Sequence, residues 1–193
     1  TPICPETAGY QAFVKPATMA ERGYCRGLLT LVKKKYRAFH IAEVTTGANE
    51  FLEIGLQLHH NTLPIINCYI HPNEHLPQQQ LHSCTLRNSL LVGDLNAKHT
   101  AWGMNRTNNR LGRQLHNFMQ HATTVLHSPH TYTWSAPNVR SSSTIDLMLA
   151  PTNVSILQVS CIDWPASDHR IVSFLTSLAA TEATRPISYR FNP

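Results

Sequence analysis

Short apolar blocks closed by Gly, Pro, Asn, Asp or Ser recur along most of this chain, and that punctuation predicts strands more often than helices. Residues 24–33 (YCRGLLTLVK) are near-continuously apolar and read as one buried strand that emerges into a basic run, Lys33, Lys34, Lys35 and Arg37. Residues 37–44, 51–58 and 63–70 follow as strands joined by polar loops, the second with Phe51, Ile54, Leu56 and Leu58 as its apolar positions. That order implies an antiparallel meander. Residues 71–88 are polar, contain Pro72 and Pro77, and leave room for at most a short helix after Pro77 before a strand at 89–92. Beyond Gly103, Leu111, Leu115, Phe118, Met119 and Ala122 share one helical face, with Thr107, Asn108 or Asn109 available as the cap. A short segment at 131–134, a loop rich in Ser, Asn and Pro to Ser143, and strands at 144–149, 154–159 and 170–175 complete the pattern. Many strands, one or two helices and long loops at strand ends predict an α+β or layered α/β sandwich with its function in the loops.

Composition narrows this to one domain: 193 residues at 42% hydrophobic bury one sizeable core. After residue 178 the apolar pattern is lost, so residues 179–193 read as a linker leading out of a domain at 1–178. No run approaches the roughly 18 apolar residues of a membrane span, and the first residues lack the basic and apolar regions of a signal peptide. Cys4, Cys25, Cys68, Cys84 and Cys161 are scattered without C-x-x-C spacing and read as reduced thiols. The expectation is an intracellular protein with no membrane association. Its net charge of +5, with 12 His able to add more, favours a polyanionic partner.

Candidate chemistry gathers at strand tips. Residues 90–103 (LLVGDLNAKHTAWG) form an apolar strand that ends in Asp94 and Asn96. Tyr69 closes the strand before Pro72, Asp146 sits inside STIDLMLA, and Asp168-His169 precede RIVSFL. Each has an ordinary reading: Asp94 and Asn96 as turn formers, Tyr69 as a ring packed with its hydroxyl wet, Asp168-His169 as a turn. Asp146 is harder to dismiss, because a carboxylate in an apolar strand needs a partner or a task. As a set they supply what metal-assisted phosphodiester hydrolysis needs: oxygen ligands for Mg²⁺ or Mn²⁺, a carboxylate for the attacking water, and donors for the charge building on phosphate.

The order of these motifs resembles a known family. Residues 67–72 (NCYIHP), 93–99 (GDLNAKH), 101–103 (AWG), 143–147 (STIDL) and 167–169 (SDH) are similar to the apurinic/apyrimidinic-endonuclease-like domain of non-LTR (LINE-type) retrotransposons. That domain belongs to the exonuclease-endonuclease-phosphatase superfamily. The resemblance implies a four-layered α/β sandwich of two mostly antiparallel sheets flanked by helices. It implies that Asp94 and Asn96 handle the attacking water and the phosphate, that Tyr69 donates to the phosphate, and that Asp146 orients His169 beside the pentavalent centre. Asp168 would lie beside the metal, and Lys98, His99, Trp102, Arg106, Asn109 and Arg110 are the DNA-contact candidates. The implied activity is nicking of double-stranded chromosomal DNA, in the nucleus, to prime a reverse transcriptase carried in cis.

One departure accompanies the match. The family places two strands before the segment at Gly9-Tyr10, the first ending in Asn and the second in a metal-binding Glu, and this sequence holds neither. Glu6 imitates that Glu but follows Pro5 and sits too near Gly9, so the first strands of the fold are expected to be missing. Two alternatives stand beside the nuclease: a remnant that binds nucleic acid through Lys15, Arg22, Lys33 to Lys35, Arg106 and Arg110, and a superfamily phosphatase acting on inositol phosphates.

Overall fold

The computed structural model describes residues 8–20, 23–137 and 141–178. In chain order the elements are β1 (Tyr10–Lys15), β2 (Thr18–Ala20), β3 (Gly23–Cys25), β4 (Leu28–Lys33), β5 (Ala38–Thr46), β6 (Asn49–Gln57), β7 (Thr62–Tyr69), α1 (Gln78–Leu86), β8 (Leu90–Asp94), α2 (Arg110–Met119), β9 (Thr124–His127), β10 (Trp134–Ser135), β11 (Ser142–Ser143), β12 (Asp146–Pro151), β13 (Ile156–Ile162) and β14 (Ile171–Thr176). A six-stranded sheet in the order β5-β6-β7-β8-β12-β9 forms the centre, with four two-stranded ribbons around it. Every pairing in the large sheet is antiparallel except β7 with β8, which run parallel because α1 carries the chain over between them.

Alternation along β6 explains its central place: Phe51 joins a core with the helices, whereas Leu52 and Ile54 join a separate one with Phe13, Leu28 and Val32 of the β1–β4 ribbon. Leu81 and Cys84 of α1 and Leu111 and Leu115 of α2 pack with Ile66, Leu91 and Leu147, so both helices cover the same face of the sheet. Leu63, Leu90 and Met148 meet Ile156 and Phe174 of the β13–β14 ribbon. The described residues thus form a helical layer, the central sheet and a layer of two ribbons, an α/β sandwich of mostly antiparallel strands.

The meander at β5 to β7, the short helix after Pro77 and the α2 face match the sequence reading, and Asn109 is the cap: its side chain accepts a hydrogen bond from the Gly112 N–H at 2.7 Å. The single strand expected at 24–33 is two strands. Arg26 and Gly27 take left-handed backbone angles, φ 67° and 96°, and turn the chain between β3 and β4. Strands β1 and β9 were not foreseen, being a polar-interrupted and a four-residue element. Glu6, Arg22 and the linker at 179–193 lie outside the described residues. No helix among the described residues is long and apolar enough to cross a membrane.

Candidate active site

Strand register brings the candidates together. Glu50 of β6 pairs with Tyr69 of β7, Tyr69 with Asp94 of β8, and Asp94 with Asp146 of β12, so four polar residues stand on one rung across four neighbouring strands. Tyr69 and Asp94 end the two parallel strands, and carboxyl ends of parallel strands are where α/β sheets open a crevice. The close approach of β7 and β8 depends on Gly93, where a Cβ would collide with the carbonyl oxygen of Cys68. Tyr69, Asp94 and Asp146 line one cleft of about 820 Å³ with Asn67 and His71.

Asp94 is fixed by its neighbour. Its Oδ1 accepts from the Asn96 backbone N–H at 2.9 Å and its Oδ2 from Asn96 Nδ2 at 3.1 Å. Asn96 holds a left-handed φ of 48° and donates from the same Nδ2 to the Ile70 carbonyl at 3.0 Å. Burial, then the charge of Asp146, push the Asp94 carboxyl up to about 7, against the lowering effect of the Asn96 N–H. His169 Nδ1 sits 3.0 Å from Asp146 Oδ2 and 3.3 Å from Oδ1. An ionised carboxylate only accepts, so that contact places the proton on Nδ1 and turns Nε2 outward. The hydrogen bond to Asp146 and the nearby carboxylates raise the His169 pKa against the opposing effect of burial. Asp146 is held in turn by Thr133, fully buried, whose Oγ1 accepts from the Ile145 and Asp146 N–H groups at 3.0 and 3.1 Å.

Two residues at this site escaped the sequence reading. Trp134 donates its indole N–H to Asp168 Oδ2 at 2.9 Å, bridges His169 through its backbone, and lies under the Lys98 ammonium, 5.4 Å from the ring centroid. Nothing in the local sequence marks it, because all three contacts span long separations. Glu50, 0% exposed, is the fourth rung member, but its oxygens are taken by Lys15 Nζ at 3.2 Å and the Gly27 N–H at 2.7 Å.

Residues 63–173 match a family model described as endonuclease-reverse transcriptase. The chain belongs to that family. Among solved structures, this chain resembles the endonuclease domain of TRAS1, a telomere-specific non-LTR retrotransposon, with TM-score 0.66 and 18% identity over 84% of this chain and 78% of that one. TDP2 of D. rerio, complexed with a single strand DNA product, gives 0.54 and 13% over 88% and 77%. The human Nocturnin catalytic domain with bound sulfate anion gives 0.51 and 14% over 87% and 73%. These likenesses concern the fold. A search of curated proteins finds no match.

Not every candidate DNA contact of this family member is free to serve. Trp102 is only 7% exposed and donates its indole N–H to the Ala97 carbonyl at 3.0 Å. Asn109 is engaged at both ends of its amide: Oδ1 accepts from Lys98 N–H and Gly112 N–H, and Nδ2 donates to the Asn96 carbonyl at 2.7 Å. Both hold the loop after Asp94 in shape with the groups the sequence reading offers to DNA. Lys15 is likewise buried against Glu50 and no surface cation. Lys98 and Arg106 share a polar cleft of about 470 Å³ with Ser141 and Ser142. Arg110 donates to the Glu74 carbonyl at 2.7 Å, and His99 is stacked between Trp102 and His116.

The family implies a divalent metal, and the donor set is tested by its charge. Asp94 is raised by both Asp146 and Asp168, a crowding of carboxylates that a hard cation relieves. Among the described residues no three His, Cys, Asp or Glu side chains converge to ligate an ion by themselves. Mg²⁺ accommodates that, since it keeps several waters and takes one or two carboxylates plus phosphate oxygens. The set fits.

Proposed function

We propose that this chain is a Mg²⁺- or Mn²⁺-dependent DNA endonuclease domain that nicks double-stranded target DNA in the nucleus, the freed 3′-hydroxyl priming a reverse transcriptase encoded in cis. The observation that carries the reading is the Asp146–His169 pair, 3.0 Å apart, beside an Asp94 whose carboxyl is raised to about 7. Asp94 is then poised to take a proton from water near neutral pH, and Asn96 fixes the direction of that carboxylate. His169, its pKa raised by the hydrogen bond to Asp146, offers Nε2 to the charge that develops on the phosphate oxygens. Tyr69, on the adjacent strand tip, donates to the same phosphate. Asp168 would hold the metal, its Oδ2 steadied by Trp134, and the ion would supply electrostatic stabilisation of the phosphate and leaving oxygen.

A plasmid-nicking assay tests this. Wild type converts supercoiled plasmid to open circles with Mg²⁺, and Asp94→Ala and His169→Ala each lose on the order of 10³-fold in rate. A wild type that leaves plasmid intact at every metal concentration sinks the nuclease.

A further inference from the structure

A second cleft, about 700 Å³ and within the size range of ligand sites, is lined by His169 and Asp168 and shares no lining residue with the strand-tip cleft. Its wall is the loop between β13 and β14, and it closes against Asp168 and His169. Trp164 on that loop is 53% exposed, with Pro165 beside it and Pro137 facing the same space. Indole left in water forgoes a large burial of apolar area, which calls for a partner. The loop is braced rather than loose: Arg170 Nε holds Asp163 Oδ1 at 2.7 Å, Arg170 also donates to Thr131 Oγ1 and the Tyr132 carbonyl, and the Ser167 N–H donates to the Trp164 carbonyl. The indole is therefore presented on a fixed support.

Resting on the nuclease reading, we propose that this cleft takes an unstacked nucleobase next to the scissile phosphate, stacked on Trp164. Charge decides which part of a nucleotide enters. Asp163 is offset by its Arg170 partner and Asp168 stands beside His169, so the cleft has no excess of positive charge to draw a phosphate in; the neutral base goes in and the backbone stays with His169 and Lys98. Stacking on an aromatic side chain tolerates any base, so the site gives grip and position without reading sequence. It also adjoins the catalytic set, since His169 lines it and bonds Asp146, which lines the strand-tip cleft.

The experiment is a binding cycle in EDTA, read by fluorescence anisotropy, with gapped oligonucleotides that carry either a base or an abasic residue at the flanking position. Wild type is expected to bind the base-bearing oligonucleotide on the order of tenfold more tightly than the abasic one. Trp164→Ala erases that difference and leaves the abasic affinity unchanged, and Trp164→Phe restores most of it. With Mg²⁺, Trp164→Ala raises KM for nicking and leaves kcat close to wild type. Equal affinity of wild type for the two oligonucleotides overturns the proposal, as does a base preference that survives Trp164→Ala. Loss of nicking in wild type with the base preference intact refutes the nuclease reading alone, so the two failures are told apart.

Discussion

Asp94 is the residue at which function and stability oppose each other. Its folded pKa of about 7 lies above the 3.8 of a free carboxyl, so folding favours the protonated form. The folded state is unpenalised near pH 4, loses stability as pH rises toward 7, and keeps that deficit above it. Without metal, Asp94→Asn is expected to unfold about 2 kcal/mol less readily than wild type at pH 8 and equally at pH 4, while losing nicking activity. Chemical denaturation at the two pH values checks this, and a variant no more stable at pH 8 refutes the buried, crowded carboxylate. Trp134 offers the contrasting case. Trp134→Phe keeps a ring beneath Lys98 but removes the donor to Asp168, so the Mg²⁺ concentration for half-maximal nicking should rise by about tenfold with an unchanged melting temperature. An unaltered metal requirement would deny Trp134 its role.

At the scale of elements, the loop between β8 and α2 is a lock built from side chains that look like ligand contacts. Asn109→Ala removes three hydrogen bonds, the helix cap among them, and is expected to cost about 2 kcal/mol of stability, read from urea unfolding. Its neighbour Arg106, exposed, has no such duty. This is also where sequence reading reached its limit. Apolar runs that end in Asp94 or enclose Asp146 announce strand tips from composition alone, and the i, i+4 spacing of Leu111 and Leu115 announces a helix. Whether an Asn or a Trp turns toward solvent or toward the backbone depends on partners eleven or more residues away, as for Asn109, or on a loop that folds back, as for Trp102. The break at Arg26 and Gly27 was hidden for a related reason: apolar residues continue on both sides of the turn.

For the whole molecule, a net charge of +5 means that the proposed DNA binding should depend on ionic strength. Lys98→Met and Arg106→Ala should each reduce the slope of log K against log salt by about 0.9, whereas Asn109→Ala should leave it unchanged. A slope lowered equally by all three would return Asn109 to the DNA surface. The rung of Glu50, Tyr69, Asp94 and Asp146 reaches further than any of these contacts. In a sheet, a slip of one residue turns every side chain of the slipped strand to the opposite face. Moving β6, β7, β8 or β12 by a single position would bury its rung residue among helices and expel core side chains in the same step. If the proposed nuclease reading holds, mispaired molecules of this fold are silent rather than miscutting, and the cleavage carries within it a proofreading of its own assembly.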